Sequence, residues 1–270
     1  MATTEVPTNL TPALTAVERD VPGVYDRPGC HLDTLSTEVQ DCRFGDVNGA
    51  FRVAVFGDSH AAQWLPALER LSREDGDLAI ASYTKSSCPA ASVTISLNNQ
   101  PYATCDTWRT KVLATLTSAP ADLVVVSSYA FHPLASGATG ADRRNEWSVG
   151  LRRTIDQVLA AGSSVLVVAD TPRFPTAPPI CLSSHVQDTR PCAGDPASAR
   201  DPTLTMAERT VTVSAGAAYV DLTPALCDTR TCPIIVGNLL VYRDVNHLTA
   251  TFAAYLAPEL REEVEKARPG

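Results

Sequence analysis

Residues 52–60 read Arg52-Val53-Ala54-Val55-Phe56-Gly57-Asp58-Ser59-His60. Val53 to Phe56 are apolar at every position, without the in-and-out alternation of a half-exposed strand. Arg52–Phe56 therefore reads as a strand buried on both faces. Gly57 permits a tight turn after it. From Ala61 to Glu74, Trp64, Leu65, Leu68 and Leu71 recur at helical spacing. Ser59 thus stands where a buried strand hands over to a helix. Two roles are open to a serine there. It can cap the helix N-terminus. It can also present its hydroxyl to the crevice at the strand's carboxyl end, with its N–H where a developing oxyanion is favoured.

The same alternation continues downstream. Asp77–Ser82, Asp122–Ser127, Ser164–Ala169 and the shorter Ala218–Leu222 read as strands. Asp106–Leu116, Asp142–Ala161, Leu204–Ala215 and Thr249–Lys266 have helical spacing, with Gly162 as a C-cap and Thr249 as an N-cap. Buried strands alternating with helices predict an α/β fold: a three-layer α/β/α sandwich of flavodoxin-like type, with a mostly parallel five-stranded sheet. The catalytic domain is expected over residues 51–270, with its functional crevice at the carboxyl ends of the strands. Upstream, Pro7, Pro12, Pro22 and Pro28 with Gly29, Gly45 and Gly49 predict an irregular N-terminal arm over residues 1–50. The arm is expected to pack on the domain and to hold one short helix over Pro12–Asp20. Pro172–Pro202 reads as a long loop, either a rim or lid for the site or an inert insertion.

Eight cysteines occur, none in a C-x-x-C pair, which argues against a zinc ribbon or a redox motif. They fall into local pairs in Pro-rich or polar segments. The connectivity that needs least threading is Cys30–Cys42, Cys88–Cys105, Cys181–Cys192 and Cys227–Cys232. Disulfides imply an oxidising, extracytoplasmic compartment. The first ten residues carry neither a basic start nor an apolar h-region. They read as the boundary of a domain whose membrane-targeting part lies upstream. With 44% hydrophobic and 19% charged residues over 270 positions, one sizeable core is expected. A net charge of −8 without a basic run disfavours nucleic acid as a partner.

A serine nucleophile needs a base. Among five histidines, His247 stands out, in Tyr242-Arg243-Asp244-Val245-Asn246-His247-Leu248 just before the last helix. The D-x-x-H spacing lets Asp244 face the imidazole, fix its tautomer and stabilise the imidazolium. Ser59, His247 and Asp244 are the expected catalytic residues. His31, His132 and His185 lie in irregular segments and read as surface residues. No metal site and no cofactor are expected. No G-x-S-x-G elbow, H-E-x-x-H pair or phosphate-binding loop is present. His60, beside the nucleophile, is expected to orient the loop or line the pocket. Trp64 reads as core, and Tyr129 and Phe131 as core or as walls of a sugar-binding crevice.

Gly57-Asp58-Ser59 and Asp244-Val245-Asn246-His247 resemble the first and last blocks of the SGNH (GDSL-type) hydrolases. The longer strings Val53–Trp64 and Tyr242–Thr249 narrow this. Together with Gly29-Cys30-His31, Cys42–Asp46 and Thr84–Pro89, they resemble the SGNH domain at the C-terminus of bacterial membrane acyltransferase-3 proteins. The resemblance runs from about Leu10 to the end. It implies an O-acyltransferase domain, tethered outside the membrane and monomeric in isolation. Ser59 would carry an acyl group, usually acetyl, from a membrane acyltransferase domain to a hydroxyl of an envelope glycan or glycolipid. A carbohydrate esterase using the same triad is the alternative. One departure stands out. Standard members add a Gly and the Asn of a G-x-N-D block to the oxyanion hole, but residues 126–131 read Val-Ser-Ser-Tyr-Ala-Phe and the Gly is missing near Thr84–Cys88. Asp58, His60, Ser86, Ser87, Ser127, Ser128 and Tyr129 are the candidate pocket or oxyanion residues. Slow hydrolysis from a depleted oxyanion hole would suit a transferase, which must protect its acyl-enzyme from water.

Overall fold

A computed structural model describes residues 3–268. Its strands are β1 (His31–Leu32), β2 (Arg43–Gly45), β3 (Phe51–Gly57), β4 (Leu78–Lys85), β5 (Ser96–Leu97), β6 (Gln100–Pro101), β7 (Leu123–Ser127), β8 (Ser164–Val168), β9 (Ala218–Val220), β10 (Ile235–Val236) and β11 (Leu239–Leu240). The helices between β3 and β8 are α1 (Ser59–Ala62), α2 (Leu65–Asp75), α3 (Ala103–Ser118) and α4 (Gly140–Ala160). After β8 come α5 (Pro178–Ser184), α6 (Pro196–Ala199), α7 (Pro202–Ser214), α8 (Thr223–Leu226), α9 (Ala250–Tyr255) and α10 (Ala257–Lys266).

The main sheet has the order β1-β4-β3-β7-β8-β9, every pair parallel, with β2 antiparallel on β4. Side chains alternate across it, as a pleated strand requires. Val53, Val55, Leu123, Val125, Leu166 and Val168 face one core, closed by α2, α9 and α10. Ala54, Phe56, Val124, Val126, Val165 and Val167 face the other, closed by α3 and α4 through Trp108, Val112, Trp147 and Ile155. Each fully buried aliphatic chain contributes about 1.5–3 kcal/mol, so the paired cores explain why these strands carry no polar face.

The five expected strands form the parallel body of the sheet. The arm is less irregular than its prolines and glycines suggest, because β1 and β2 extend the sheet along β4. The Pro12–Asp20 helix shrinks to a 3-10 turn at Val17–Arg19. Two expected helices are each broken in two. Pro66 sits in the first turn of α2 and Pro258 in that of α10, where a missing N–H costs nothing. The Pro172–Pro202 segment holds α5 and α6, so it is not a plain loop. It is tied down by Phe174 N–H donating to the Val245 carbonyl (2.7 Å) and by Val6 N–H donating to the Val186 carbonyl (2.9 Å).

The chain leaves β3 first toward β4, then returns to β7 on the other side. A crevice opens where the winding reverses, outside the carboxyl ends of β3 and β7. Gly57 ends β3 with φ 149°, and a Cβ there would lie 2.0 Å from the Ser127 carbonyl oxygen. Only glycine lets β3 and β7 close at this level.

Candidate active site

Asp58 and Ser59 begin α1 at the mouth of the crevice. Asp58 is fully buried and accepts hydrogen bonds from the His60 N–H (2.8 Å) and the Tyr129 N–H (2.9 Å). It caps α1 and ties it to the segment after β7. Burial opposes its charge, but His132, His60 and the Tyr129 N–H outweigh that and hold its pKa below the usual carboxylate range. An anionic acceptor has no proton to give an oxyanion, so Asp58 serves as an anchor. Ser59 is free of capping duty and partly exposed.

Ser59 Oγ lies 2.8 Å from His247 Nε2, across 188 positions of sequence. His247 Nδ1 lies 2.8 and 3.0 Å from the two Asp244 oxygens. The carboxylate accepts from Nδ1–H, which leaves Nε2 as the acceptor for the serine proton. Asp244 also accepts from the Asn246 N–H (3.0 Å) and the His247 N–H (2.8 Å). Burial would raise the Asp244 pKa, but these donors bring it to about 2. Burial depresses the His247 pKa, the Asp244 hydrogen bond opposes it, and the charge of His60 depresses it further; the result is a lowered value.

Several supporting groups are invisible in the sequence pattern. Asp170, just past β8, lies 2.6 Å from His60 Nδ1 and accepts from the Ala130 N–H (2.8 Å) and the Thr171 N–H (2.8 Å). Gln63 is buried; its Oε1 accepts from the Leu248 N–H (3.0 Å), and its amide donates to Thr171 Oγ1 (3.4 Å). The Thr171 hydroxyl donates to the Asn246 carbonyl (3.0 Å). The only sequence hint for Asp170 is an acid at the carboxyl end of a buried strand.

His132 and His31 are not surface residues. His132 is 13% exposed; its ring meets Tyr129 edge-on at 4.9 Å, and Nε2 is 3.7 Å from Asp58. His31 comes from the arm and bridges the Thr84 (3.0 Å) and Ser86 (3.1 Å) hydroxyls at the end of β4. Burial lowers its pKa to about 4, so it is neutral near pH 7. Its ring packs on Tyr25 at 4.6 Å, and the Arg243 guanidinium lies 5.4 Å from the Tyr25 ring centre. The arm thus reaches the rim of the site. His185 lies away from it, with Nδ1–H donating to the Cys181 carbonyl (2.9 Å).

Of the remaining candidate residues, Ser86 engages His31, and Ser128 Oγ accepts from the Ala90 N–H (2.9 Å). Ser127 Oγ is buried without a hydrogen-bond partner among the described residues. Ser87 takes a left-handed backbone (φ 55°) at the end of β4. Tyr129 tilts against His60 (4.9 Å) and Phe131 (5.6 Å), and the Arg173 guanidinium covers Phe131 at 3.8 Å. These rings face one another, and Trp64 is core. The cysteines are bonded as Cys30–Cys42, Cys88–Cys105, Cys181–Cys192 and Cys227–Cys232. Cys181, His185 and Cys192 cluster closely enough to suggest a metal site, but the two sulfurs are bonded to each other and offer no thiolate. No described helix is long and apolar enough to cross a membrane.

A family model described as the SGNH domain fused to AT3 domains matches residues 29–262. No curated protein matches the chain. Among solved structures, the periplasmic domain of a lipopolysaccharide acetyltransferase from Salmonella ser. Paratyphi A is similar at 18% identity and TM-score 0.70, over 94% of this chain and 97% of that one. A carbohydrate acetylesterase family member from Sinorhizobium meliloti is similar at 16% identity and TM-score 0.46, over 80% of this chain and 99% of that one. Because the family model spans both Ser59 and the Asp244–His247 segment, the chain belongs to the SGNH family, as an SGNH domain of the kind fused to AT3 domains.

Proposed function

We propose that this domain is a serine O-acyltransferase that carries an acyl group, acetyl in the first instance, on Ser59 and delivers it to a hydroxyl of a cell-envelope glycan. Membership in the SGNH family makes serine-dependent acyl transfer or ester hydrolysis its chemistry. The observation that carries the assignment to these residues is the unbroken line from Ser59 Oγ through His247 to Asp244. Ser59 Oγ attacks the acyl carbonyl while its proton passes to His247 Nε2. The tetrahedral intermediate collapses as His247 returns that proton to the leaving oxygen. The acceptor hydroxyl then gives its proton to His247, attacks the Ser59 ester and leaves with the acyl group, and the proton returns to Ser59. Ser59 N–H, at the first position of α1, has no intrahelical acceptor and is the first oxyanion donor.

The AT3 fusion of the family supports a membrane acyltransferase domain as acyl source. Four disulfides support an oxidising, extracytoplasmic location. Ester hydrolysis uses the same groups with water in place of the acceptor. The two are separated by giving the domain an activated acetyl ester with and without an envelope glycan. Transfer predicts that added glycan diverts most of the acetyl into a glycan ester. Undiminished release of acetate, with no acylated glycan, would leave an esterase.

A further inference from the structure

We propose that His60 and Asp170 form a positioning pair that holds a buried positive charge against the catalytic imidazole and keeps His247 in its proton-accepting form. This rests on the catalytic reading of Ser59 and His247 given above. Four observations bear on it. His60 Nδ1 and Asp170 Oδ1 are 2.6 Å apart, with the two side chains 1% and 9% exposed. Asp170 is fixed by two backbone N–H groups, from Ala130 and Thr171, so it is a preset acceptor. The His60 ring lies 4.7 Å from the His247 ring, centre to centre. His60 Nε2 is buried without a partner among the described residues. The polar ties that orient the ring therefore all run through Nδ1, to Asp170 and, at 3.5 Å, to the Thr171 hydroxyl.

The charges around the pair agree with this. His60 faces Asp170, Asp58 and Asp244, with Tyr129 against its ring. Burial works against a charged His60, but these carboxylates outweigh it and raise its pKa above the ordinary imidazole value. His247 faces Ser59, Asp244, His60, Arg243 and His31. Burial opposes protonation of His247, and Asp244 favours it. A second cation at ring-contact distance opposes that protonation. The pair also accounts for a histidine directly after the nucleophile. Its backbone N–H serves the Asp58 cap while its side chain reaches Asp170.

The test is the acid limb of the pH profile for activated-ester hydrolysis, together with NMR titration of the histidine rings. In the wild type, His60 should stay protonated over the range in which His247 titrates. Asp170→Asn removes the counter-charge, and His60→Gln removes the cation. Each should move the His247 titration and the acid limb of kcat/KM upward by on the order of one pH unit. A merely structural role predicts lower activity or stability with both midpoints unmoved, and that result in folded variants overturns the proposal. If His60→Gln does not fold, Asp170→Asn and the wild-type titration still decide. NMR titration in Ser59→Ala reads His247 without turnover. Ester hydrolysis that survives Ser59→Ala defeats the catalytic reading, separately from the pair.

Discussion

Gln63→Leu isolates a side chain that makes no hydrogen bond to the Ser59, His247 or Asp244 side chains yet supports the segment of the proposed base. Gln63 Oε1 accepts the Leu248 N–H at 3.0 Å in a buried setting, one residue past His247. Leucine fills a similar volume but offers no acceptor. The Leu248 N–H would then be buried and unpaired, which costs about 1–3 kcal/mol. The link from the Gln63 amide to Thr171 is long at 3.4 Å and adds little. A loss near 2 kcal/mol is therefore expected in urea unfolding. The Leu248 backbone would also move to find water or another acceptor, carrying His247 with it. A displacement approaching 1 Å at the base lowers kcat by on the order of a hundredfold, with KM little changed. Unfolding by urea and steady-state hydrolysis of an activated ester measure both effects. A variant as stable and as fast as the wild type would refute the idea that this hydrogen bond positions the His247 loop.

Three further outcomes follow from the fold. Burial raises the Glu208 pKa from its ordinary 4.5 to about 8, while its carboxyl accepts from Trp147 Nε1–H at 2.7 Å. The folded state then keeps a proton that the unfolded chain releases. Glu208-linked stability should be complete below pH 4.5 and should fall as pH rises toward 8. Glu208→Gln should flatten that slope in thermal unfolding measured across this range, and an unchanged slope would contradict it. Gly57→Ala puts a methyl 2.0 Å from the Ser127 carbonyl oxygen at φ 149°, so soluble expression or melting temperature should drop sharply. Replacing Cys88 and Cys105 by alanine releases a bridge spanning 17 positions and should cost about 3 kcal/mol in urea unfolding.

Much of the architecture was legible because buried parallel strands leave a strong local trace. Val53–Phe56 and Leu123–Val126 have no polar face to suggest any other structure. What local pattern cannot show is pairing at a distance. β1 and β2 are two and three residues long, too short for a period, and exist because β4 offers an edge. The broken helices at Pro66 and Pro258 keep helical spacing across the break, so periodicity alone runs through them. The site divides in the same way. Ser59 and the Asp244–His247 segment are marked by compact strings. Asp170, Gln63, His132 and His31 matter through contacts made across the fold, and although His31 and Gln63 lie in recognisable strings, the local sequence does not say which partners they meet.

The most direct measurement is mass spectrometry of the intact domain, then of its peptides, after brief exposure to an activated acetyl ester. The account predicts one added acetyl on the peptide containing Ser59, lost with time or with added acceptor and never formed in Ser59→Ala. A domain that stays unlabelled under turnover, or whose label persists when Ser59 is replaced, would contradict it.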